Sequence, residues 1–417
     1  NEAMRKALRG AGPAIIASGS TVTLALLTLS FAALEGNRSL GIVCATGIVI
    51  AMISALVVLP AALVVFPRWV FWPITPKLGG RNKSDTGLWA KLGKGVSKNP
   101  IPVSIAGFVI LAALATGASG IQVGLSSTDR FLKTPEAVVG QQVLADAFAA
   151  GSTTPTIVIA NNSKAQDVIA AATAVDGVDS AKVASANDSI SKIEVVLDAE
   201  SQSDEAYATI KLLRTAVHEV EGADALVGGQ DAQALDVKDA YAHDQMIVIP
   251  LILILVFLVL VLLLRSLVAP VLLLLTVVAS FFASMGAGWY LFVNVFGFPA
   301  LDLSVFLYSF LFLVALGVDY NIFLVTRAKE EAAHLGTKKG MIKALSSTGG
   351  VITSAGILLA AVFAVLGVLP LVALAQIGVI VCIGVLLDTL LVRTVIVPAL
   401  AFMTGNKFWL PSRNYKP

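Results

Sequence analysis

Three residues carry a formal charge inside otherwise apolar runs: Asp319, Asp388 and Arg393. A charge at the middle of a membrane-spanning helix costs about 3 kcal/mol or more, so such residues are functional candidates by default. Asp319 lies in Leu316-Gly317-Val318-Asp319-Tyr320-Asn321-Ile322-Phe323, and the next charge, Arg327, is eight residues further on. That separation is about 12 Å along a helix axis, too deep for a short carboxyl side chain to reach water. Low dielectric favours the neutral form of a carboxylate, so the chemistry open to Asp319 is reversible proton binding near neutral pH. The Tyr320 hydroxyl stands next to it, and helical spacing puts Tyr308, Phe312, Ala315, Asp319 and Phe323 on one stripe. The competing structural reading makes Asp319 a cap on a neighbouring helix or the partner of a buried Arg. Asp388 and Arg393 are five residues apart in the last apolar run, a poor spacing for an α-helical pair. Arg393 can snorkel toward the cytoplasmic end, and Asp388 reads equally as a second relay group or as a structural partner.

The elements that must hold these residues are set by composition. Of 417 residues, 57% are hydrophobic and only 13% charged, with mean hydropathy +0.86; soluble domains carry about 25% charged residues. A membrane-crossing helix needs about 20 mostly apolar residues. Eight runs qualify, at 13–34, 39–66, 101–119, 246–264, 267–293, 303–325, 349–370 and 372–403. Lys and Arg concentrate in three connecting segments: 67–100 (Arg68, Lys77, Arg81, Lys83, Lys91, Lys94, Lys98), 326–348 (Arg327, Lys329, Lys338, Lys339, Lys343) and the tail 404–417 (Lys407, Arg413, Lys416). The positive-inside rule makes all three cytoplasmic, and an even number of spans separates each from the next. The lead-in stretches 1–12 and 330–347, basic with Met, Leu and Ile, read as interfacial helices.

This topology puts 120–243 outside. That segment holds 8 basic and 18 acidic residues, a net charge of 8 − 18 = −10. Strands are expected at Thr154–Ala160, Val178–Val183 and Lys192–Asp198, helices at Ala165–Ala174 and Asp204–Val220, the second opened by an N-cap at Ser203. With a last strand ending at Gly228-Gly229, the order is that of a ferredoxin-like βαββαβ unit. From Asp231 a helix runs directly into the fourth span. The resulting fold class is a multi-span α-helical membrane protein with one extracytoplasmic α+β domain. Its organisation is 1–66, a linker 67–100, a span 101–119, the outer domain 120–243, five spans over 244–403, and a tail.

The chain also repeats itself. Residues 2–34 align without a gap on 339–371, an offset of 337 that superposes Met4, Lys6, Ala7, Leu8, Gly12, Ile15 and Gly19 on Met341, Lys343, Ala344, Leu345, Gly349, Ile352 and Gly356. The same offset carries Gly41 onto Gly378 and Gly47 onto Gly384, and one extra residue then sets Pro60 opposite Pro398. Parallel repeats of this kind are a transporter signature.

Other classes find no support. No basic cluster with interleaved aromatics points to nucleic acid. No nucleophile–base pair, metal cluster or phosphate loop points to an enzyme or a bound cofactor. Cys44 and Cys382 sit in apolar runs and read as free buried thiols. His218, His243 and His334, and the span-end acids Glu35 and Asp302, have ordinary surface readings.

The run Gly317-Val318-Asp319-Tyr320-Asn321-Ile322-Phe323-Leu324-Val325-Thr326-Arg327, followed by Glu330-Glu331, resembles the tenth-span signature of the MmpL branch of the resistance-nodulation-division (RND) superfamily. Gly384-Val385-Leu386-Leu387-Asp388-Thr389-Leu390-Leu391-Val392-Arg393-Thr394 resembles that of its last span. The resemblance implies an RND-like helix bundle in the bacterial inner membrane, porter-like outer domains, and proton-driven export of lipids or hydrophobic compounds. The proton is then the coupling ion, and the partners are membrane lipids, lipid or hydrophobic small-molecule cargo and further protomers. By motif, Asp319 and Tyr320 match the family's second proton-relay pair, Phe323 an aromatic of the relay channel shared with Tyr308 and Phe312, and Ser354 a small polar neighbour. The family's first Asp-Tyr pair would fall at 319 − 337 = −18, upstream of Asn1, where Ser18 and Ser20 would have flanked it. The eight spans are then expected to be the fifth to twelfth of a longer transporter. An RND-scaffold sensor or protein-export accessory, and an inactive truncated product, are the alternatives.

Overall fold

The computed structural model describes residues 2–66, 87–126, 129–147 and 154–412. The basic residues Arg68, Lys77, Arg81, Lys83, Arg413 and Lys416, which contribute to the sidedness expectation, lie outside these ranges. Among the described residues, seven helices are long and apolar enough to cross a membrane. They are α1 (Glu2–Leu27), α2 (Glu35–Val65), α4 (Pro100–Ala115), α8 (Gln230–Leu264), α9 (Val268–Leu291), α10 (Leu303–Leu366) and α11 (Val372–Trp409). Shorter helices are α3 (Leu88–Lys98), α5 (Glu136–Ala147), α6 (Ala165–Thr173) and α7 (Asp204–His218). Large apolar side chains such as Ile42, Val43, Val57, Ile105, Val109 and Leu262 are exposed around the bundle. With lipid as the solvent, that exposure is favourable.

The 64-residue α10 contains two of the expected spans. Gly336 departs from helical geometry at φ 77°, ψ 164°, a left-handed region open to glycine. A Cβ on Gly340 would lie 2.6 Å from the Ala332 backbone nitrogen, so only glycine permits the tight return. The two arms fold back on each other, and Phe312 meets Phe363 edge to face at 5.6 Å. The interfacial helices expected at 1–12 and 330–347 are not separate elements. α1 runs unbroken from Glu2 through Pro13, and the second arm of α10 likewise continues from its basic lead-in.

The folded domain is a four-stranded antiparallel sheet in the order β2-β3-β1-β4, with β1 (Thr156–Asn161), β2 (Val178–Ala186), β3 (Ile190–Leu197) and β4 (Leu226–Gly228). This is the ferredoxin-like order. Inward residues of β1 and β3 alternate strictly: Val158 and Ala160 face Ile193, Val195 and Leu197, and α6 and α7 cover them with Val168, Ala172, Ile210 and Leu213. Ser203 caps α7, accepting from the Ala206 N–H at 3.1 Å. α8 belongs to both halves of the molecule. Ala232 and Leu235 pack into the domain core, while Val248, Ile252, Val256 and Leu260 pack into the bundle. Arg214 clamps α7 to α8 through both oxygens of Asp236 at 2.6 and 2.8 Å.

Each end of the bundle is tied by polar contacts. On the domain side, Gly124 N–H donates to Leu301 O and Leu301 N–H to Gln122 O, both at 2.8 Å, and Val372 N–H donates to Arg130 O at 3.0 Å. At the far end, Phe408 and Trp409 are fully buried. There Ser266 donates to Phe408 O at 2.9 Å, across 142 residues of chain, and Trp409 Nε1 donates to Thr337 Oγ1 at 3.1 Å, across 72.

The packing contacts repeat at the sequence offset. A Cβ on Gly41 would meet Leu26 O at 2.6 Å and Leu29 Cβ at 2.7 Å; on Gly378 it would meet Phe363 O at 2.6 Å and Leu366 Cβ at 2.9 Å. Gly19 abuts Met52, and Gly356 abuts Thr389. All three partner pairs are 337 apart. Each copy also contains a π-wound stretch, Ser54–Val58 in α2 and Asp388–Ile396 in α11. The extra residue of the second copy falls between Gly384 and Pro398, around the longer of the two stretches, as expected for a one-residue insertion into a helix.

Gly378→Ala should destabilise the protein by about 1–3 kcal/mol, because the obstructing atom is a backbone carbonyl that cannot turn away. Gly47→Ala, with open space around its Cβ, should be neutral or stabilising by about 0.5–1 kcal/mol. Thermal unfolding in detergent, monitored by circular dichroism, checks both signs.

Candidate functional site

The charged residues of the spans converge where the first arm of α10 passes between α1 and α11. Asp319 faces α1, with the Ser18 side chain within hydrogen-bonding reach. Its Oδ1 is shielded from solvent and has no hydrogen-bond partner. Ser18, expected only to flank a missing pair, is thus the hydroxyl at Asp319. Ser354 is not: it is exposed and donates to Val351 O of its own helix at 2.9 Å. The reason is helical phase. Ser354 lies two residues from Gly356, the residue that faces α11, and so points roughly 160° away at about 100° per residue.

Asp388 is buried on the opposite side of α10. It accepts from Ser280 Oγ of α9 at 2.8 Å. A Cβ on residue 317 would collide with its Oδ2. The glycine of the Gly317-Val318-Asp319-Tyr320 motif therefore gives Asp388 its space, two residues before Asp319 itself. Arg393 does not snorkel. It is 1% exposed, and its guanidinium lies 4.5 Å from the centre of the Tyr320 ring. A cation over an aromatic face gains about 2 kcal/mol when desolvated, which offsets part of the loss from three nitrogens without hydrogen-bond partners. The stretch containing both residues is π-wound. That winding turns residues five apart toward one side, where an α-helical reading separates them.

Tyr320 is therefore central. Its neighbour Asp319 looks toward α1, and its ring carries the guanidinium from α11. Asn321, 1% exposed, has neither end of its amide paired, and the hydroxyls of Thr353 and Thr389 are likewise buried without partners. Phe312 packs on Phe363, as above. Phe323, one turn beyond Asp319, lines a cavity of about 580 Å³ between α1 and α10 at the far end, with Pro13, Ala14, Thr326, Arg327 and Glu330. Ala14 is one turn from Ser18, so the cavity ends one turn short of the Asp319 carboxyl on both helices. Arg327 is held by Glu330 at 2.8 Å and Glu331 at 2.6 Å.

Tyr308 stands three turns from Asp319 in the other direction. Its hydroxyl donates to Asn37 Oδ1 at 2.6 Å, and Asn37 Nδ2 donates to Asp244 Oδ2 at 2.8 Å. Asp244 is completely buried, and Asn37 is 1% exposed. Sequence reasoning passed over both. Asp244 precedes its apolar run and reads as a residue still in water; nothing local to it reports that the α1–α2 turn folds over it. Among the described residues, no cluster of His, Cys, Asp and Glu is placed to hold a metal ion.

Comparison with known proteins gives this geometry a context. The model of the MMPL family matches residues 1–103 and 132–416. The chain is 45% identical over 412 residues to putative membrane protein ActII-3 of Streptomyces coelicolor, covering 99% of this chain and 58% of that protein. It is 35% identical over 439 residues to the apo-petrobactin exporter of Bacillus anthracis, covering 98% of this chain and 58% of the exporter. It is also 40% identical over 183 residues to the sulfolipid-1 exporter MmpL8 of Mycobacterium tuberculosis, covering 42% of this chain and 16% of that protein. The chain thus spans little more than half the length of the relatives that it matches along nearly all its own. Among solved structures, SecDF, a translocon-associated membrane protein from Thermus, shares the fold: TM-score 0.54 at 14% identity, covering 97% of this chain and 50% of that one. A family match over both the span-lining signatures and the folded domain, on a bundle of membrane-length helices, identifies the chain as a multi-pass bacterial membrane protein of the MMPL family within the RND transporters.

Proposed function

We propose that this chain is part of a proton-driven exporter of lipids or hydrophobic compounds, with Asp319 as the group that takes up and releases the coupling proton. One observation carries the reading. Asp319 presents an unpartnered carboxyl oxygen at the contact between α1, from the first repeat copy, and α10, from the second. A structural cap or a salt-bridge partner is held in place by donors, whereas the buried Oδ1 of Asp319 has none and is free to take a proton. Protonation changes the hydrogen bonding available to Ser18, and so the contact between the two copies. Tyr320, held under Arg393, fixes the backbone on which Asp319 sits. Asp388 is engaged by Ser280 and seated in the gap at Gly317, which favours its role as a structural partner over a second relay group.

On this reading the basic segments face the cytoplasm and the acidic domain lies outside, as the distribution of Lys and Arg predicts. The cavity beside Phe323 then opens toward the cytoplasm and leads to within one turn of Asp319. Cargo is amphiphilic or apolar, in line with relatives whose names specify a siderophore and a sulfolipid. The transport cycle belongs to the full-length protein. The likeness of the fold to a translocon-associated protein favours a second reading, an accessory to protein export, which the same experiment separates.

In the full-length protein, Asp319→Asn should reduce proton-driven export by about a hundredfold or more, the scale of losing a positioned proton-transfer group. Uptake of radiolabelled cargo into inverted vesicles with an imposed pH gradient measures it, and export at the wild-type rate would sink the proposal. Gly317→Ala should push Asp388 from its seat at a cost of about 1–3 kcal/mol, read as a lowered unfolding temperature. Gly350→Ala, whose Cβ meets only ordinary contacts with Trp89, should leave that temperature unchanged.

A further inference from the structure

Asp244 is buried as deeply as any residue in the bundle, yet it has no place in the proton chemistry above. Its partners say what it does. Oδ1 accepts from the Ala33 N–H, and Oδ2 accepts from the Leu34 N–H at 3.5 Å and from Asn37 Nδ2 at 2.8 Å. These donors lie at the start of α2, Ala33 and Leu34 just before it and Asn37 in its first turn, and the N-cap residue, Leu34, supplies no side-chain cap of its own. A carboxylate from α8 therefore caps α2 across the bundle, where backbone donors and the helix dipole both favour negative charge. Arg38 holds the same turn from its other side, with Nε donating to Ala32 O at 2.5 Å and Nη2 to Ala33 O at 3.4 Å. Asn37 is thus fixed in orientation, and its remaining oxygen takes the Tyr308 hydroxyl. Tyr241, one turn before Asp244 on α8, lies within hydrogen-bonding reach of Tyr308.

Three elements are joined at this point: α8, which is rooted in the folded domain; the α1–α2 turn, from the first repeat copy; and α10, which carries Asp319. The point lies at the domain-side end of the contact between the copies. At the opposite end of that contact lies the cavity beside Phe323. The contact is therefore bolted by buried hydrogen bonds at one end and hollow at the other. We propose that Asp244 is a positioning residue, the latch that acts through Asn37 on Tyr308 to close the domain-side path to Asp319, and that movement of α8 with the domain releases it.

The inference rests on the transport reading only in supposing that this path must open. It is tested without transport, by placing a reporter at Ser18→Cys in the full-length protein, in a background with the other cysteines replaced. The rate of modification by a membrane-impermeant methanethiosulfonate is measured with the reagent on either face of the membrane. Asp244→Asn should raise the rate from the domain-bearing face by about tenfold, the population shift expected from losing one charge-assisted hydrogen bond. The rate from the opposite face should not change. Tyr308→Phe, which keeps the ring and removes only the hydroxyl, should do the same, and it carries the test if Asp244→Asn fails to accumulate. Rates that rise together from both faces, or that do not move, would make Asp244 a plain structural cap and overturn the proposal. Should Asp319→Asn export normally while the latch variants still admit reagent, the proton reading falls and the latch stands. The reverse pattern removes the latch alone.

Discussion

In hydrocarbon, a charged side chain persists only where the protein supplies what water would have supplied, and every polar arrangement in this bundle follows from how that supply is met. Asp244 is met by two backbone N–H groups and an amide. Asp388 receives a serine hydroxyl and a space left by Gly317. Arg393 receives an aromatic face. Asp319 keeps a buried oxygen with no partner. Satisfaction is graded: Asp244 has donors on both oxygens, whereas Asp319 and Arg393 keep buried polar atoms without hydrogen-bond partners. Close helix approach makes the arrangement possible: glycines at the crossings let backbones and small polar groups reach depths that a methyl group would block.

Much of the architecture was legible because its determinants are local or periodic. Apolar runs of membrane length, alternation in β1 and β3, and the Ser203 cap each follow from neighbours in sequence. The offset of 337 was visible as matched glycines, and two of those pairs, Gly19/Gly356 and Gly41/Gly378, make matched contacts. Asp319 stood out because a carboxylate eight residues from the nearest charge is costly wherever it sits. What stayed hidden depends on phase or on distant chain. The π-winding of Asp388–Ile396 breaks the 3.6-residue rule by which Asp388 and Arg393 were placed apart. Ser18 and Ser354 could not be told apart as neighbours of Asp319 without knowing which way each helix is turned. Asp244 and Asn37 are 207 residues apart, and neither is unusual in its own surroundings.

The two repeat copies share contacts but not burdens. Gly19 meets Met52 where Gly356 meets Thr389, so the first copy fills with a thioether the place where the second puts a hydroxyl. The charged pair of α11 has no counterpart in α2, whose π-wound segment carries no charge and is half-buried to exposed. The second copy thus carries the polar interior, and the first contributes the surface against which it works: Ser18 opposite Asp319, and Asn37 opposite Tyr308. A single helix, α8, runs from the core of the folded domain into the bundle, so the two halves share one continuous element.

The far-end closure has a bearing on biosynthesis. Ser266 lies at the corner between α8 and α9, and its partner carbonyl, that of Phe408, follows 142 residues later; Thr337 waits 72 residues for Trp409. Helices α8, α9 and both arms of α10 therefore enter the bilayer, one after another as the ribosome delivers them, before the residues that fasten their ends have been made. Until then the corner hydroxyl and the hairpin threonine lack these partners. The far-end closure is complete only when the 408–409 aromatic pair has followed them into place.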